Sequence, residues 1–246
     1  MSLAWFETLA ARLPARCEVC RTWPARPVCN ACTKQFAAPV ARCGRCARRV
    51  LPLPATADRG GAAQIDEALT CADCRRAPPA LDACHAALPY AFPWQDLIAR
   101  FKFQGEPGWA RTFAAIMRTV PGITRALDAA DRVLPLPLGP RRLAERGYNQ
   151  AFELARRLAP GRADARSLLR IRDTVPQTTL GRDERLANLR GAFLVEPSRT
   201  AALRGAHVVV VDDVMTSGAS LAAAAQALRH AGATRVTALV LARTDD

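Results

Sequence analysis

Beyond residue 82 the chain alternates between short, nearly continuous apolar runs and longer segments whose apolar residues recur every three or four positions. The short runs predict strands, and the helically spaced segments predict amphipathic helices between them. Strands are predicted at 87–92, 131–138, 166–172, 192–195, 207–214 and 235–243. Helices are predicted at 94–103, 109–120, 149–159 and 218–232. This alternation favours the α/β class, with a parallel sheet covered by helices on both faces.

The first 80 residues do not show this alternation and predict a separate module. Trp5, Phe6, Leu9 and Leu13 fall on one helical face, which predicts an N-terminal helix that packs against the body of the protein. The stretch RRAPPALD at 75–82 has the composition of a hinge. We therefore predict three parts: a helix with a cysteine-rich module at 1–78, a hood or connecting segment at 79–130, and an α/β core at 131–246.

The composition indicates a soluble globular protein. Of the 246 residues, 50% are hydrophobic and 23% are charged, which is ordinary for this class. No apolar stretch approaches the roughly 20 residues that a membrane span requires, so we expect no transmembrane segment. The N-terminus lacks a basic leader with a long apolar core, and we therefore expect no signal peptide and a cytoplasmic location.

The formal net charge of +13 permits a phosphate-rich partner without requiring one. Only Lys34 and Lys102 among the 35 basic residues are lysines, and so strong an arginine bias could reflect genomic base composition rather than a ligand. The excess is uneven, because residues 1–80 carry 12 basic and 6 acidic side chains and residues 131–190 carry 13 and 7. Positive charge is therefore concentrated in the cysteine-rich module and in one part of the predicted core.

Eight of the nine cysteines form four CxxC pairs. The pairs are Cys17/Cys20, Cys29/Cys32, Cys43/Cys46 and Cys71/Cys74. A CxxC turn directs two sulfurs to one side, which is half of a tetrahedral zinc site, so the pairs predict two structural zinc ions without an open coordination position. Disulfides are disfavoured because no secretory signal is expected. Redox chemistry is disfavoured because it needs one pair at a helix start, not four in tandem.

The spacing leaves the pairing of the four motifs open. Sequential use gives a double zinc ribbon, whereas interleaved use gives cross-braced fingers. The ninth cysteine, Cys84, is predicted to be a buried or spare thiol. Small metal-stapled ribbons usually hold a surface or bind a partner, which makes this module a candidate for interactions.

The most specific chemistry lies in VVVVDDVMTSGAS, from Val208 to Ser220. Asp212 and Asp213 repel each other, so their adjacency favours a ligand at the carboxyl end of a strand, where parallel sheets bind ligands. Two adjacent acceptors suit the vicinal hydroxyls of a ribose. The next turn offers a glycine, hydroxyls and a helix N-terminus to a phosphate, through Thr216, Ser217, Gly218, Ala219 and Ser220. A ribose 5-phosphate site is therefore predicted; the alternative, a metal-binding carboxylate pair, fits the hydroxyl-rich turn poorly.

This stretch resembles the motif with which type I phosphoribosyltransferases bind 5-phosphoribosyl 1-diphosphate (PRPP). Three further segments narrow the resemblance to the ComF family of competence protein F: LPLPLGPRRLAERGYNQAFELA, LLRIRDTVPQTTLGRDERLANLRGAF and FKFQGE. The resemblance runs from about Cys17 to Arg243. It departs from the family pattern at Ser217, where a second threonine is common, and at Tyr148, where phenylalanine is common.

The resemblance implies a type I phosphoribosyltransferase fold with a small N-terminal zinc-ribbon domain, and a site for PRPP with magnesium. It implies catalytic roles for Asp212, Asp213 and Arg146. Phosphate contacts are implied for the turn 216–220 and for Arg141, Arg142, Lys102 and Arg185, the last within a flexible loop at 173–190 that closes over PRPP. Plainer interpretations are that Arg146 and Arg185 are surface charges, that Asn149 caps a helix and that Lys102 covers apolar surface.

The sequence leaves three functions open. The ComF resemblance implies a cytoplasmic PRPP-binding protein that handles incoming single-stranded DNA during natural transformation, together with other competence or DNA-processing proteins. A salvage-type transferase is the second possibility, and its acceptor is unknown because the hood shows no readable base-recognition pattern. In the third, the zinc ribbons recruit partners and the transferase-like fold is a ligand sensor.

Overall fold

A computed structural model of the chain describes residues 15–50, 69–172 and 191–245. These residues fall into two compact units, with the boundary between Ala38 and Pro39. The smaller unit contains the first two CxxC motifs and helix α1 (Asn30–Phe36), which begins where the Cys29 side chain accepts a hydrogen bond from the Cys32 amide. The larger unit contains the last two CxxC motifs and the six strands described below.

Helices and strands alternate along the larger unit. Its helices are α2 (Ala72–Arg76), α3 (Trp94–Phe103), α4 (Trp109–Met117), α5 (Pro121–Asp128), α6 (Pro140–Arg146), α7 (Gln150–Leu158) and α8 (Ala219–His230), with a 3₁₀ helix at Pro197–Leu203. Its strands are β1 (Ala83–Pro89), β2 (Arg132–Pro135), β3 (Leu168–Arg170), β4 (Phe193–Val195), β5 (His207–Met215) and β6 (Arg235–Arg243).

Four of the strands form a parallel sheet in the order β1–β6–β5–β2. The central strands are continuous apolar runs because both of their faces are covered, and the backbone from Val208 to Val211 carries four fully buried valines. Alternate side chains point to opposite faces, so Val208 and Val210 share one apolar cluster with Ala224 and Leu228 of α8. The predicted parallel sheet flanked by helices is confirmed.

Several element boundaries differ from the sequence prediction. The first strand begins at Ala83, before the predicted start, because pairing with β6 rather than local hydrophobicity sets its register. Helices α5 and α6 begin at Pro121 and Pro140, in stretches where the sequence pattern predicts no helix; proline fits the first helical position, where no amide partner is needed. The predicted strands at 166–172 and 192–195 shorten to β3 and β4, which pair antiparallel in a separate two-stranded sheet.

The sheet order places the carboxyl end of β5 between those of β6 and β2. In a parallel sheet this edge is where ligands bind, because the connecting loops and helix N-termini meet there. Among the helices of the described ranges, none has the length and apolar content needed to cross a membrane.

Candidate functional site

The acidic pair lies at the carboxyl end of β5, where Asp213 is buried and Asp212 is half-buried. The Asp213 amide donates to Asp212 Oδ1 at 2.8 Å, and the Val214 amide donates to Asp213 Oδ1 at 2.6 Å. The ammonium of Lys102, in the last turn of α3, lies 2.9 Å from Asp213 Oδ1. The fold therefore brings Lys102 to the acidic pair, whereas the plainer interpretation leaves it over apolar surface.

Burial raises the pKa of the Asp212 carboxyl to about 7, and the neighbouring Asp213 carboxylate acts in the same direction. The positive charges of Lys102 and Arg146 oppose this rise. Between about pH 4 and 7 the folded chain therefore keeps a proton that the unfolded chain has released. Folding stability falls as the pH rises through this window, because an ionised Asp212 is unfavourable in the folded protein. A carboxyl with a raised pKa at the carboxyl ends of parallel strands is typical of a ligand site.

The turn after β5 depends on a glycine. Gly218 has a φ of +78°, in the left-handed region, and is the N-cap residue of α8. A Cβ at this position would lie 2.3 Å from Met215 Cε, so another residue would both strain the backbone and displace Met215. Thr216 is exposed, and the half-buried Ser217 accepts a hydrogen bond from the Ala219 amide at 3.4 Å. Hydroxyls and the first amides of α8 thus follow the acidic pair directly, an arrangement that favours an anion.

The segment 146–150 (RGYNQ) holds the end of α3 in place. The Tyr148 hydroxyl donates to the Phe101 carbonyl, and the Gln150 side-chain amide donates to the Lys102 carbonyl at 3.4 Å. These two hydrogen bonds fix the backbone at Phe101 and Lys102. The segment therefore supports the acidic pair indirectly, through the position of the lysine.

Arg146 lies within electrostatic reach of the acidic pair, because its charge lowers the pKa of Asp212. Its guanidinium donates to Gln150 Oε1 at 3.0 Å and lies 5.0 Å from the centre of the Phe103 ring. Phe103 is 67% exposed, although it is large and apolar. The site thus combines two carboxylates, two cations and an exposed aromatic ring.

The remaining predicted phosphate ligands have other surroundings. Arg141 and Arg142 lie at the start of α6, where Arg141 forms an exposed ion pair with Glu145 at 2.8 Å and Arg142 is half-buried. Arg185 and the predicted closing loop at 173–190 lie outside the described residues. Asn149 caps α7 through its Oδ1 atom, as its plainer interpretation predicts.

The eight CxxC sulfurs form two clusters in sequential order. The first cluster is Cys17, Cys20, Cys29 and Cys32, and the second is Cys43, Cys46, Cys71 and Cys74; within each, the sulfurs lie within 4.8 Å of one another. Sulfurs of Cys20 and Cys29, and of Cys46 and Cys71, are 3.7 Å apart. Zn–S bonds of about 2.3 Å in tetrahedral geometry place sulfurs roughly 3.8 Å apart. Both clusters fit a tetrahedral metal ion, and the pairing that the spacing left open is sequential.

The second cluster is also prepared to hold thiolates. Burial opposes ionisation of Cys43, but backbone amides outweigh it and lower its pKa to about 7; the Cys71 amide donates to Cys43 Sγ at 3.3 Å. Burial raises the pKa of Cys46 to about 11 and raises that of Cys74 well above its usual range. Thiols this close cannot all ionise alone, whereas a divalent cation would allow all four to do so.

Sequence reasoning did not identify Arg243 and Phe103. Arg243 ends the apolar strand β6 and is only 3% exposed. In the sequence, the charged residue at the end of an apolar run was the signal that could have identified it. Phe103 lies inside the FKFQGE segment, but only the fold shows that its ring is exposed beside Arg146. The predicted buried thiol, Cys84, is 2% exposed, and burial raises its pKa to about 12.

Comparisons with known proteins agree with this geometry. The family described as phosphoribosyl transferase domain matches residues 143–246, which include β5 and α8. DNA utilization protein YhgH of Salmonella typhimurium is 32% identical over 208 residues, covering 82% of this chain and 90% of the relative. Competence protein F of Haemophilus influenzae is 30% identical over 208 residues with the same coverage. Competence protein ComFC of Bacillus subtilis is 28% identical over 152 residues, 61% of this chain and 60% of the relative. The predicted phosphoribosyltransferase fold is confirmed.

Proposed function

We propose that the chain, which belongs to the ComF family of competence protein F and DNA utilization protein YhgH, binds PRPP with Mg²⁺ at the carboxyl end of β5. One observation carries the proposal: Lys102 lies 2.9 Å from the buried Asp213, and the left-handed turn at Gly218 follows directly. A diol-binding pair of acceptors next to an anion-binding turn matches a ribose 5-phosphate.

The acidic pair would accept hydrogen bonds from the two ribose hydroxyls. Each carboxylate uses Oδ1 for a backbone amide, and in the described ranges Oδ2 of each carries no such bond. The turn 216–220 would hold the 5-phosphate through its hydroxyls and the first amides of α8. Mg²⁺ would supply divalent positive charge to the bound PRPP, with Asp212 and Asp213 as the acidic side chains of the site.

Lys102 and Arg146 would stabilise the negative charge that grows on a leaving diphosphate. A reaction at the ribose C1 needs positioning and charge stabilisation rather than a protein nucleophile. A salvage-type transferase is therefore the alternative function of the same site. It would release diphosphate when given its acceptor, whereas a binding protein or ligand sensor would not.

Calorimetric titration of the metal-loaded protein with PRPP and Mg²⁺ tests the proposal. We expect a micromolar Kd, and ribose 5-phosphate, which lacks the diphosphate, should bind more weakly. A folded, metal-loaded protein that shows no heat of binding with PRPP at millimolar concentration would refute it.

The affinity for PRPP should rise with pH because of Asp212. With its pKa at about 7, this carboxyl changes from mostly protonated to mostly ionised between pH 6 and 8, and only the ionised form is a full acceptor for the ribose hydroxyls. We expect about a tenfold gain in affinity over this interval. The same titrations on Asp212→Asn correct for the phosphate of PRPP, which titrates near pH 6. An equal gain in the variant would exclude Asp212 as the cause.

We propose, as a second function, that the protein handles single-stranded DNA in the cytoplasm, together with other DNA-processing proteins. Relatives are named for DNA utilization and competence. The exposed ring of Phe103, with the Arg146 guanidinium 5.0 Å from its centre, supports this proposal because unpaired bases stack on such rings.

Fluorescence anisotropy with a labelled oligothymidine tests DNA binding. Phosphate contacts predict that affinity falls at least about tenfold between 50 and 200 mM salt. Phe103→Ala should weaken binding at every salt concentration without changing this slope, since stacking releases no counterions. Phe92→Ala is the control, because Phe92 is exposed to a similar degree, 63% against 67%. Equal effects of the two substitutions, or no binding at 50 mM salt, would contradict the proposal.

A further inference from the structure

Arg243, the last residue of β6, is a buried cation outside the proposed ligand site. Its Nε donates to the Cys46 carbonyl at 3.1 Å, and its Nη1 donates to the Met215 carbonyl at 3.2 Å and to the Thr244 hydroxyl at 3.0 Å. Cys46 belongs to the second cluster, and Met215 is the last residue of β5 before the turn 216–220. One guanidinium thus joins the backbone of the metal cluster to the start of the turn.

Other contacts attach the second cluster to the same part of the sheet. The Cys84 amide, in β1, donates to the Gly44 carbonyl at 2.7 Å, inside a CxxC turn of the cluster. Arg42 donates to the Ala47 carbonyl at 2.9 Å and pairs with Asp245 at 3.4 Å. Ala47 is fully buried in the apolar cluster that includes residues of α8. The second cluster is therefore part of the core of the larger unit.

Met215 contacts both Arg243 and the turn 216–220. Its carbonyl accepts from Arg243 and also from the Thr244 amide at 3.2 Å. Its Cε packs so closely on Gly218 that a Cβ there would lie 2.3 Å away. Met215 also lines a cavity of about 490 Å³, together with residues of the second cluster and of the turn. A shift of Met215 would therefore move the turn.

The position of Arg243 also depends on the cluster. Its guanidinium is buried, and it is held by hydrogen bonds to carbonyls and a hydroxyl. One of these carbonyls belongs to Cys46, so a metal ion that fixes the turn at 43–46 also fixes this anchor. Asp245 contributes compensating negative charge. Loss of the metal would thus loosen a backbone anchor of Arg243.

We propose that Arg243 is a positioning residue through which metal binding at the second cluster sets the affinity of the turn 216–220 for its phosphorylated ligand. This inference rests on the proposed PRPP site. It extends that function, because the affinity for PRPP would depend on the metal ion of the second cluster. Linkage requires the reverse effect as well: PRPP must strengthen metal retention at the second cluster by the same factor.

Equilibrium competition with a chromogenic chelator measures this reverse effect in the zinc-loaded protein. We expect saturating PRPP with Mg²⁺ to lower the dissociation constant of zinc at the second cluster by about tenfold and to leave that of the first cluster unchanged. The Cys17→Ser variant, which disrupts the first cluster, gives the dissociation constant of the second cluster alone. An equal dissociation constant at the second cluster with and without bound PRPP would overturn the proposal.

Variants of Arg243 test the residue itself. We expect Arg243→Met to bind PRPP about tenfold more weakly and to lose the gain in zinc affinity even at saturating PRPP. Arg243→Lys, which keeps the charge and part of the hydrogen bonding, should restore part of both effects. The control is Arg235→Met, the same change at the exposed opposite end of β6. Wild-type affinity for PRPP and a wild-type gain in zinc affinity in a folded Arg243→Met protein would exclude the proposed role.

Hydrogen exchange separates this inference from the PRPP site. Without any ligand, amides of 215–220 should exchange faster after metal is stripped from the second cluster or after Arg243→Met, and not after Arg235→Met. Unchanged exchange would refute the coupling whether or not PRPP binds. Failure of PRPP to bind the wild type would refute the proposed function instead. If Arg243→Met does not fold, the exchange and zinc-affinity comparisons on the wild type decide the coupling, and those on Arg243→Lys decide the role of the residue.

Discussion

The double substitution Asp212→Asn/Asp213→Asn is expected to weaken PRPP binding by about 100-fold or more. Both carboxylates lie at the carboxyl end of β5, and each is held by a backbone amide through Oδ1. The substitution removes two charged acceptors for the ribose hydroxyls and leaves the Lys102 ammonium, 2.9 Å from the Asp213 carboxylate, with a neutral neighbour. Calorimetric titration with PRPP and Mg²⁺ at pH 8 measures the loss.

The loss should not come from unfolding. At pH 8 an ionised Asp212 is unfavourable in the fold, since burial raises its pKa to about 7, and asparagine at 212 removes this penalty. Asparagine at 213 has the opposite effect, because it removes the carboxylate paired with the mostly buried Lys102 ammonium. The titration is therefore run below the melting temperature of the variant, which thermal unfolding gives. Asp128→Asn/Asp131→Asn is the matched control, because it changes the charge equally at exposed positions before β2. Wild-type affinity in the Asp212/Asp213 variant would show that the acidic pair does not hold the ligand.

Cys74→Ser is expected to remove one bound metal ion and to lower the melting temperature of the sheet by at least about 5 °C. Cys74 belongs to the second cluster, which lies in the same compact unit as the sheet. Ala47, within that cluster's loop, is fully buried in the core. Elemental analysis gives the metal content, and thermal unfolding followed by circular dichroism gives the stability.

Cys32→Ser provides the comparison for this prediction. Cys32 and Cys74 are both 4% exposed, but Cys32 belongs to the first cluster and to the smaller unit. We expect this variant to lose one metal ion as well, while the unfolding transition of the sheet stays near its wild-type temperature. Equal destabilisation by the two substitutions would contradict a specific structural role of the second cluster in the sheet.

Local sequence patterns predicted much of the fold. The four valines from Val208 predicted a strand buried on both faces, and β5 is one. Tandem CxxC motifs predicted two four-sulfur clusters, because the spacing within a motif fixes where its sulfurs point. The start of β1 and the antiparallel pairing of β3 with β4 were not predicted, since both depend on partners distant in the chain.

Some residues of the candidate site were also predictable from the sequence, whereas the positions of others depend on the fold. The sequence alone determined that two carboxylates precede a glycine turn and a helix, because these residues are neighbours in the chain. Only the tertiary structure decided that Lys102 is the cation beside Asp213, and that Arg243 joins the second cluster to Met215. The physical reason is that strand order and helix packing set the distances between these groups, and no local pattern of side chains records them.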